Sequence, residues 1–231
     1  MTSSDDSSRD DFLHRVHGAV AAGNRPGGAP PLPERGDMGY QGAGTDPVAR
    51  FRAELSAAGG IAHIVPDTDA AVARVIELVQ AQSARRALLS RGPVVDALHL
   101  ADRLRSQGVE VIWVDSLTAE SSREPFFAAD IGISDVDYLV AETGSVVVQS
   151  RPGEPRSVSL LPPVHIAVAD RSQLVPDLFD LFVKKPGSER PVLPSCLSII
   201  TGPSKTGDIE LKLVTGVHGP GEIHVVLVDS R

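Results

Sequence analysis

The sequence has little cysteine and few aromatic residues, and each shortage excludes a class of protein. It contains one cysteine, Cys196, in 231 residues. The chain alone can therefore form no internal disulfide framework and can supply no cysteine-ligated iron–sulfur cluster. Aromatic residues make up 4% of the chain and hydrophobic residues 42%. The hydrophobic core must therefore be built mostly from Val, Leu, Ile and Ala.

The sequence also lacks a basic excess and a long apolar run. Its formal net charge is -8, whereas a protein that binds a phosphate backbone needs a basic face, so we expect no nucleic-acid partner. No apolar run approaches the ~18 residues of a membrane helix. The polar start, MTSSDDSSRDD, does not resemble a signal peptide. We therefore predict a soluble cytoplasmic protein without a membrane span.

The first 47 residues differ in composition from the rest. Residues 1–11 are polar and charged, which predicts disorder, and DFLHRVHGAVAA then predicts one short helix. Residues 23–47 are rich in glycine and proline, a composition typical of linkers. We predict a flexible N-terminal arm over residues 1–47 and an α/β domain over residues 48–231.

From residue 47 to residue 115 short apolar runs alternate with amphipathic segments. The pattern predicts helices over 47–60, 67–82 and 93–108 and strands over 61–66, 86–91 and 109–115. Asp67 or Thr68 is expected to cap the second helix. This alternation predicts a Rossmann-like, doubly wound α/β fold with a mostly parallel sheet flanked by helices.

The pattern changes after Phe126, and the middle section is expected to be rich in strands and hairpins. Two apolar stretches flank AETG, and the turn RPGEP predicts a hairpin into SVSLLP. VHIAVAD predicts another strand and RSQLVPDLFDLFVKK an amphipathic helix. Residues 197–229 predict a strand, a loop, a helix, a second loop and a final strand.

The first of these loops, GPSKTG, resembles a phosphate-binding loop without matching it. Gly202 and Gly207 have the P-loop spacing, but Asp208 and Ile209 stand where Lys and Ser/Thr are needed. A weaker anion site remains possible, because a loop that opens a helix presents backbone N–H groups. Alternatively, Thr206 or Asp208 caps the helix and the two glycines only permit the turn.

Two further loops contain ionisable residues. Glu142 follows an apolar run in AETGS and could act as a nucleophile or a base, or could accept backbone hydrogen bonds in a turn. His218, in VHGPGE, could act as a general acid or base, or could bond to a backbone carbonyl. From the residues alone, both readings of each side chain stay open.

Three segments together resemble the lactate-utilisation protein C family, which contains the LUD domain. They are AETGSVVV, LPPVHIAV and SIITGPSKTGDIELKLVTGVHGPGEIHVVLVD. The resemblance extends from about Ala129 to Asp229, and Gly207 stands where the family pattern has alanine. It implies a fold similar to ribose-phosphate isomerases, glucosamine-phosphate deaminases and CoA transferases.

The resemblance also implies a site. In CoA transferases of this fold, a glutamate in a Glu-x-Gly turn is the nucleophile, and Glu142-Thr143-Gly144 looks similar. The candidate catalytic residues are Glu142, His218 and Asp208, and no metal ligands are expected. The candidate ligand-binding residues lie in the same loops: Thr143, Gly144, Ser145, Thr201, Gly202, Pro203, Ser204, Lys205, Thr206 and Gly219.

As function, the resemblance implies an accessory or substrate-handling subunit of a system that oxidises lactate to pyruvate. Iron–sulfur clusters are then expected only in partner subunits, with a small anionic metabolite bound by this chain and a possible homo-oligomer. Two alternatives remain. One is an independent transferase or ligase that acts on a CoA thioester or a phosphorylated metabolite, and the other is a non-catalytic ligand sensor.

Overall fold

A computed structural model of the chain describes residues 3–23, 42–117, 124–151, 155–181, 194, 196–207, 213–216 and 218–230. The chain divides into two compact units, Met1–Tyr40 and Gln41–Arg231. In the first unit, helix α1 spans Ser3–Gly23. The prediction of disorder is therefore wrong for residues 3–11, which continue the predicted helix. Residues 24–41 of the predicted linker lie outside the described residues.

The second unit alternates strands and helices along most of its length. Its helices are α2 (Pro47–Ala58), α3 (Thr68–Ala81), α4 (Pro93–Ala97), α5 (Leu100–Ser106), α6 (Glu124–Phe127) and α7 (Ser157–Leu160). Its strands are β1 (Ile61–Val65), β2 (Arg86–Leu89), β3 (Glu110–Trp113), β4 (Ile131–Asp135), β5 (Tyr138–Val140), β6 (Ser145–Gln149), β7 (Val164–Asp170), β8 (Leu174–Val175), β9 (Leu197–Ile200), β10 (Lys205–Gly207), β11 (Leu213–Thr215) and β12 (Glu222–Val228). Among the described residues, no helix combines the length and apolar character needed to cross a membrane.

Six parallel strands form the central sheet, in the order β1-β12-β7-β4-β2-β3. A four-stranded sheet has the order β8-β5-β6-β9, and β10 pairs with β11 in a separate antiparallel ribbon. The α/β prediction with a mostly parallel sheet is confirmed, as is the strand-rich middle section.

The core lies on both faces of the parallel sheet. On one face, α3, α4 and α5 pack side chains such as Val75 and Leu104 against Ile166 and Val226. On the other face, α2 and the four-stranded sheet pack against β7 and β12. Phe51 and Leu55 of α2 are fully buried there. The second unit therefore has three layers: α3, α4 and α5, the parallel sheet, and α2 with the four-stranded sheet.

One buried histidine lies within the parallel sheet. His165 on β7 is fully buried, and its Nε2 lies 2.8 Å from the Ser134 hydroxyl on β4. Burial lowers the pKa of His165 to about 4, because desolvation disfavours the charged imidazole. His165 is therefore neutral at pH 7.

The segment predicted as one helix over 93–108 is two helices. His99 adopts a left-handed conformation, with φ 47° and ψ 40°, between α4 and α5. The first turn of α4 is fixed from outside, because the buried Asp135 carboxylate accepts from Val94 N at 2.7 Å and from Val95 N at 3.2 Å. The predicted continuous helix is therefore wrong: α4 ends at Ala97 and α5 begins after the left-handed His99.

Two further predictions after residue 150 were wrong. Residues 157–160 form helix α7 instead of a strand, so no hairpin crosses RPGEP; the hairpin in this region joins β5 to β6 across residues 141–144. The segment 171–181 is not an amphipathic α-helix either. It forms a 3-10 turn over Arg171–Gln173, then β8, which pairs in parallel with β5, and a second 3-10 turn over Leu178–Leu181.

Candidate functional site

The AETGS segment forms the turn between β5 and β6. Glu142 and Thr143 are half-buried there, and the Glu142 N–H donates to the Pro176 carbonyl at 3.0 Å. Gly144 has φ 64°, and a Cβ on it would lie 2.2 Å from the backbone nitrogen of Leu55. Only glycine allows this close approach, so the turn lies directly against the backbone of α2.

Three hydroxyl groups connect this turn to the TGPS loop. The Ser145 hydroxyl lies 2.7 Å from the Thr143 hydroxyl and 2.7 Å from the Thr201 hydroxyl. Ser145 is buried, whereas Thr201 is exposed. Thr143, Ser145 and Thr201, here called the hydroxyl cluster, therefore form a continuous chain of hydrogen bonds that leads from the Glu142 turn to the surface.

The TGPS loop packs against the carboxyl end of α2. Gly202 has φ 78°, and a Cβ on it would lie 2.5 Å from the Ala58 carbonyl oxygen. The Lys205 ammonium donates to the same carbonyl at 2.5 Å. Gly59, in the left-handed conformation, ends the helix. Lys205 thus satisfies a carbonyl that the helix leaves without an intrahelical donor.

The third loop, around His218, lies against the second. The Ser204 N–H donates to the Pro220 carbonyl at 2.9 Å, and the Gly216 N–H donates to the Ser204 carbonyl at 3.1 Å. Gly219 lies near the Ser204 side chain. His218 itself is exposed. The three loops named from the sequence therefore meet and form one surface, here called the three-loop site.

The local structure of the GPSKTG segment differs from the expectation. Residues Lys205–Gly207 form strand β10, which pairs antiparallel with β11. No helix begins within residues 201–207, and the helix predicted after Gly207 falls on residues 208–212, which lie outside the described residues. The anion site at this loop therefore stays a prediction. Thr206 lies on β10, and Asp208 lies outside the described residues.

The GPSKTG loop follows the carboxyl end of β9, which belongs to the four-stranded sheet. The loops approach the parallel sheet near its amino ends, where Gly59 precedes β1 and Gly221 precedes β12.

The chemistry available at the three-loop site is that of hydroxyl groups, one carboxylate and one imidazole. The hydroxyl cluster can donate to a carboxylate, while Glu142 can accept a proton or a hydrogen bond. Among the described residues, no three His, Cys, Asp or Glu side chains form a group that could bind a metal ion. The catalytic roles of Glu142, His218 and Asp208 stay predictions. So do all the predicted ligand contacts, which are those of Thr143, Gly144, Ser145, Thr201, Gly202, Pro203, Ser204, Lys205, Thr206 and Gly219.

Sequence reasoning missed two features of this region. It named Ser145 and Thr201 separately, but it did not find their hydrogen bond, because 56 residues separate them. It also missed that Lys205 caps α2. The glycines at 144 and 202 were the available signal, since an isolated glycine at the end of a strand often marks a close approach of backbones.

Comparisons with known proteins place the fold and the loops in a family. The model of the LUD domain matches residues 48–228. A crystal structure of a DUF162 family protein from Deinococcus radiodurans has a TM-score of 0.54 at 19% identity, covering 79% of this chain and 96% of that one. At this identity the likeness shows a shared fold.

Curated relatives in three bacteria carry the name "Lactate utilization protein C". The protein of Halalkalibacterium halodurans is 41% identical over 158 residues, which is 67% of each chain. That of Bacillus licheniformis is 35% identical over 134 residues, 57% of this chain and 56% of the relative. That of Bacillus subtilis is 37% identical over 128 residues, 54% of this chain and 53% of the relative. The alignments thus span between half and two thirds of these relatives.

Proposed function

The chain belongs to the LUD domain family, and from that premise we propose that it acts in lactate utilisation as a subunit that binds the small anionic substrate at the three-loop site. The observation that carries the proposal is the 41% identity to a protein named for lactate utilisation. The meeting of the three loops supports the location of the site.

The side chains of the three-loop site suit a 2-hydroxy acid. The exposed Thr201 hydroxyl ends the hydroxyl cluster and can donate to a substrate carboxylate. Glu142 lies in the same turn as Thr143 and can accept the proton of a substrate hydroxyl. Oxidation of lactate to pyruvate removes two protons and two electrons, so a carboxylate base beside the hydroxyl group serves this reaction.

The electrons must pass to another molecule in this proposal. The chain has one cysteine, whereas an iron–sulfur cluster takes several cysteine ligands. We therefore assign the electron acceptors to iron–sulfur partner proteins, and we assign substrate binding and proton removal to this chain.

A growth experiment tests the proposal in the organism that encodes the chain. A strain without the gene should grow normally on pyruvate and poorly on lactate, and the wild-type gene should restore growth on lactate. Glu142→Gln and Thr201→Val should fail to restore it, because each removes a group of the site while keeping the side chain's size. Glu77→Gln on the exposed face of α3 is the matched control.

Normal growth of the deletion strain on lactate would refute the role in lactate utilisation. Full restoration by both site variants would leave the role intact and refute the three-loop site as its location. Both results require that the variant proteins accumulate to wild-type levels, which an immunoblot shows.

A further inference from the structure

A cavity of about 350 Å³ opens at the carboxyl edge of the parallel sheet. The three-loop site lies by the amino ends of β1 and β12, so the two regions are at opposite edges. Six side chains with a charge or an aromatic ring line the cavity: Arg91, Asp96, His99, Asp102, Arg105 and Trp113. In open α/β sheets, ligands bind outside the carboxyl ends of the strands. Arg91 follows β2 and Trp113 ends β3, which places the cavity at such a position.

One wall is a preformed stack of a cation on an aromatic ring. The guanidinium carbon of Arg91 lies 3.6 Å from the centroid of Trp113. Its Nε donates to Asp115 at 2.9 Å and its Nη1 donates to Asp96 at 3.3 Å. The hydrogen bond that Arg91 donates to Asp115 raises the pKa of Arg91, so the guanidinium stays charged. Because the Arg91 side chain is 46% exposed, a planar ring can stack on the side of the guanidinium that faces away from Trp113.

The polar groups of the cavity have both signs of charge. The lining contains two guanidinium groups and two carboxylates, whose formal charges cancel, and Arg105 donates to Asp102 at 3.2 Å. A simple anion gains no net attraction from this set. His99 adopts its left-handed conformation at the cavity wall, and strained residues of this kind are concentrated at functional sites.

We propose that this cavity binds a purine mononucleotide, independently of the function proposed for the three-loop site. The base stacks on Arg91, as bases do on arginine planes in other nucleotide sites. The ribose hydroxyl groups donate to Asp96, since carboxylates are the acceptors that recognise ribose, whereas the Asp102 side chain is 93% exposed to solvent. The phosphate accepts from Arg105 and His99. A mononucleotide contacts the stacking surface, the carboxylates and the cations of the lining at the same time. A free phosphate contacts only the cations, and an uncharged ring contacts only the stacking surface.

Calorimetric titration of the full chain with AMP, adenosine and inorganic phosphate tests the proposal. Trp113 is the only tryptophan of the chain, so its fluorescence is a second readout that is local to the cavity. Arg105→Gln should weaken AMP binding about tenfold, the usual effect of losing a charged hydrogen bond, and should leave adenosine binding unchanged. Arg103→Gln, on the same helix but outside the lining, is the matched control and should change neither.

A second variant examines the stack. Arg91→Lys should weaken AMP and adenosine alike, because an ammonium group offers no plane for stacking. No heat and no fluorescence change at about 1 mM AMP, a concentration that reveals even weak binding, would overturn the proposal. AMP binding that is equal in wild type, Arg105→Gln and Arg91→Lys would overturn it as well, since the nucleotide would then bind elsewhere. Inorganic phosphate that binds as tightly as AMP would show a simple anion site instead.

Discussion

The substitution Gly144→Ala should destabilise the protein by about 2–5 kcal/mol, because two separate costs apply. Gly144 has φ 64°, a region that costs an alanine about 1–2 kcal/mol. The new Cβ would also lie 2.2 Å from Leu55 N and 2.7 Å from Leu55 Cα. Leu55 is fully buried, so α2 cannot move aside freely, and overpacking of this kind costs about 1–3 kcal/mol.

Gly108→Ala is the matched control for the backbone strain. Gly108 also has a left-handed conformation, with φ 81°, but no atom lies within 4 Å of its Cβ position. Its cost should be the strain alone, about 1–2 kcal/mol, and the effect of alanine on the unfolded chain is the same at both positions. Urea unfolding followed by circular dichroism measures both free energies of unfolding. Equal losses in the two variants would refute the close packing of the Glu142 turn on α2.

Three further predictions concern single contacts. His165→Gln should reduce the loss of stability at acid pH. The pKa of His165 is lowered to about 4 in the folded protein, so protonation of the unfolded chain lowers the free energy of unfolding by up to about 3 kcal/mol as pH falls from 6.5 to 4. Unfolding titrations over this range measure the dependence of that free energy on pH, and an unchanged dependence in the variant would contradict the prediction. Lys205→Met should lower the free energy of unfolding in urea by about 1 kcal/mol, because the Ala58 carbonyl loses its donor. An unchanged free energy of unfolding would show that Lys205 does not stabilise the end of α2. Ser145→Ala should lower the free energy of unfolding by about 1–2 kcal/mol, since it removes two hydrogen bonds of a buried hydroxyl. The same variant should reduce growth on lactate. Unchanged stability together with unchanged growth would show that the hydroxyl cluster is dispensable.

Elements with local signals were predictable from the sequence. Asp67 caps α3 by accepting from Ala70 N at 2.8 Å, and Gly59 ends α2, as their positions before and after apolar periodicity indicated. These signals lie within a few residues of the features that they determine. The alternation of such helices with short apolar strands was therefore sufficient to predict the parallel sheet.

Elements that depend on distant partners were not predictable in this way. The apolar spacing after Asp170 is compatible with a helix, but Leu174 and Val175 pair with the edge of β5 instead, and this pairing decides the outcome. The break at His99 has no glycine or proline to announce it. Likewise, the hydroxyl cluster joins residues from two loops, and only the tertiary fold brings them within hydrogen-bond distance.

The strand order has a consequence for how the chain acquires its structure during synthesis. β1 lies at the edge of the parallel sheet, and its neighbour there is β12. β1 therefore cannot pair within the sheet until the residues of β12 have been synthesised. The core cluster around Phe51 and Leu55 of α2 also contains Ile223, Val225 and Leu227 of β12, so it too is completed last. The first strand of this domain therefore pairs last, and the folding rate is governed by a contact of very long sequence separation.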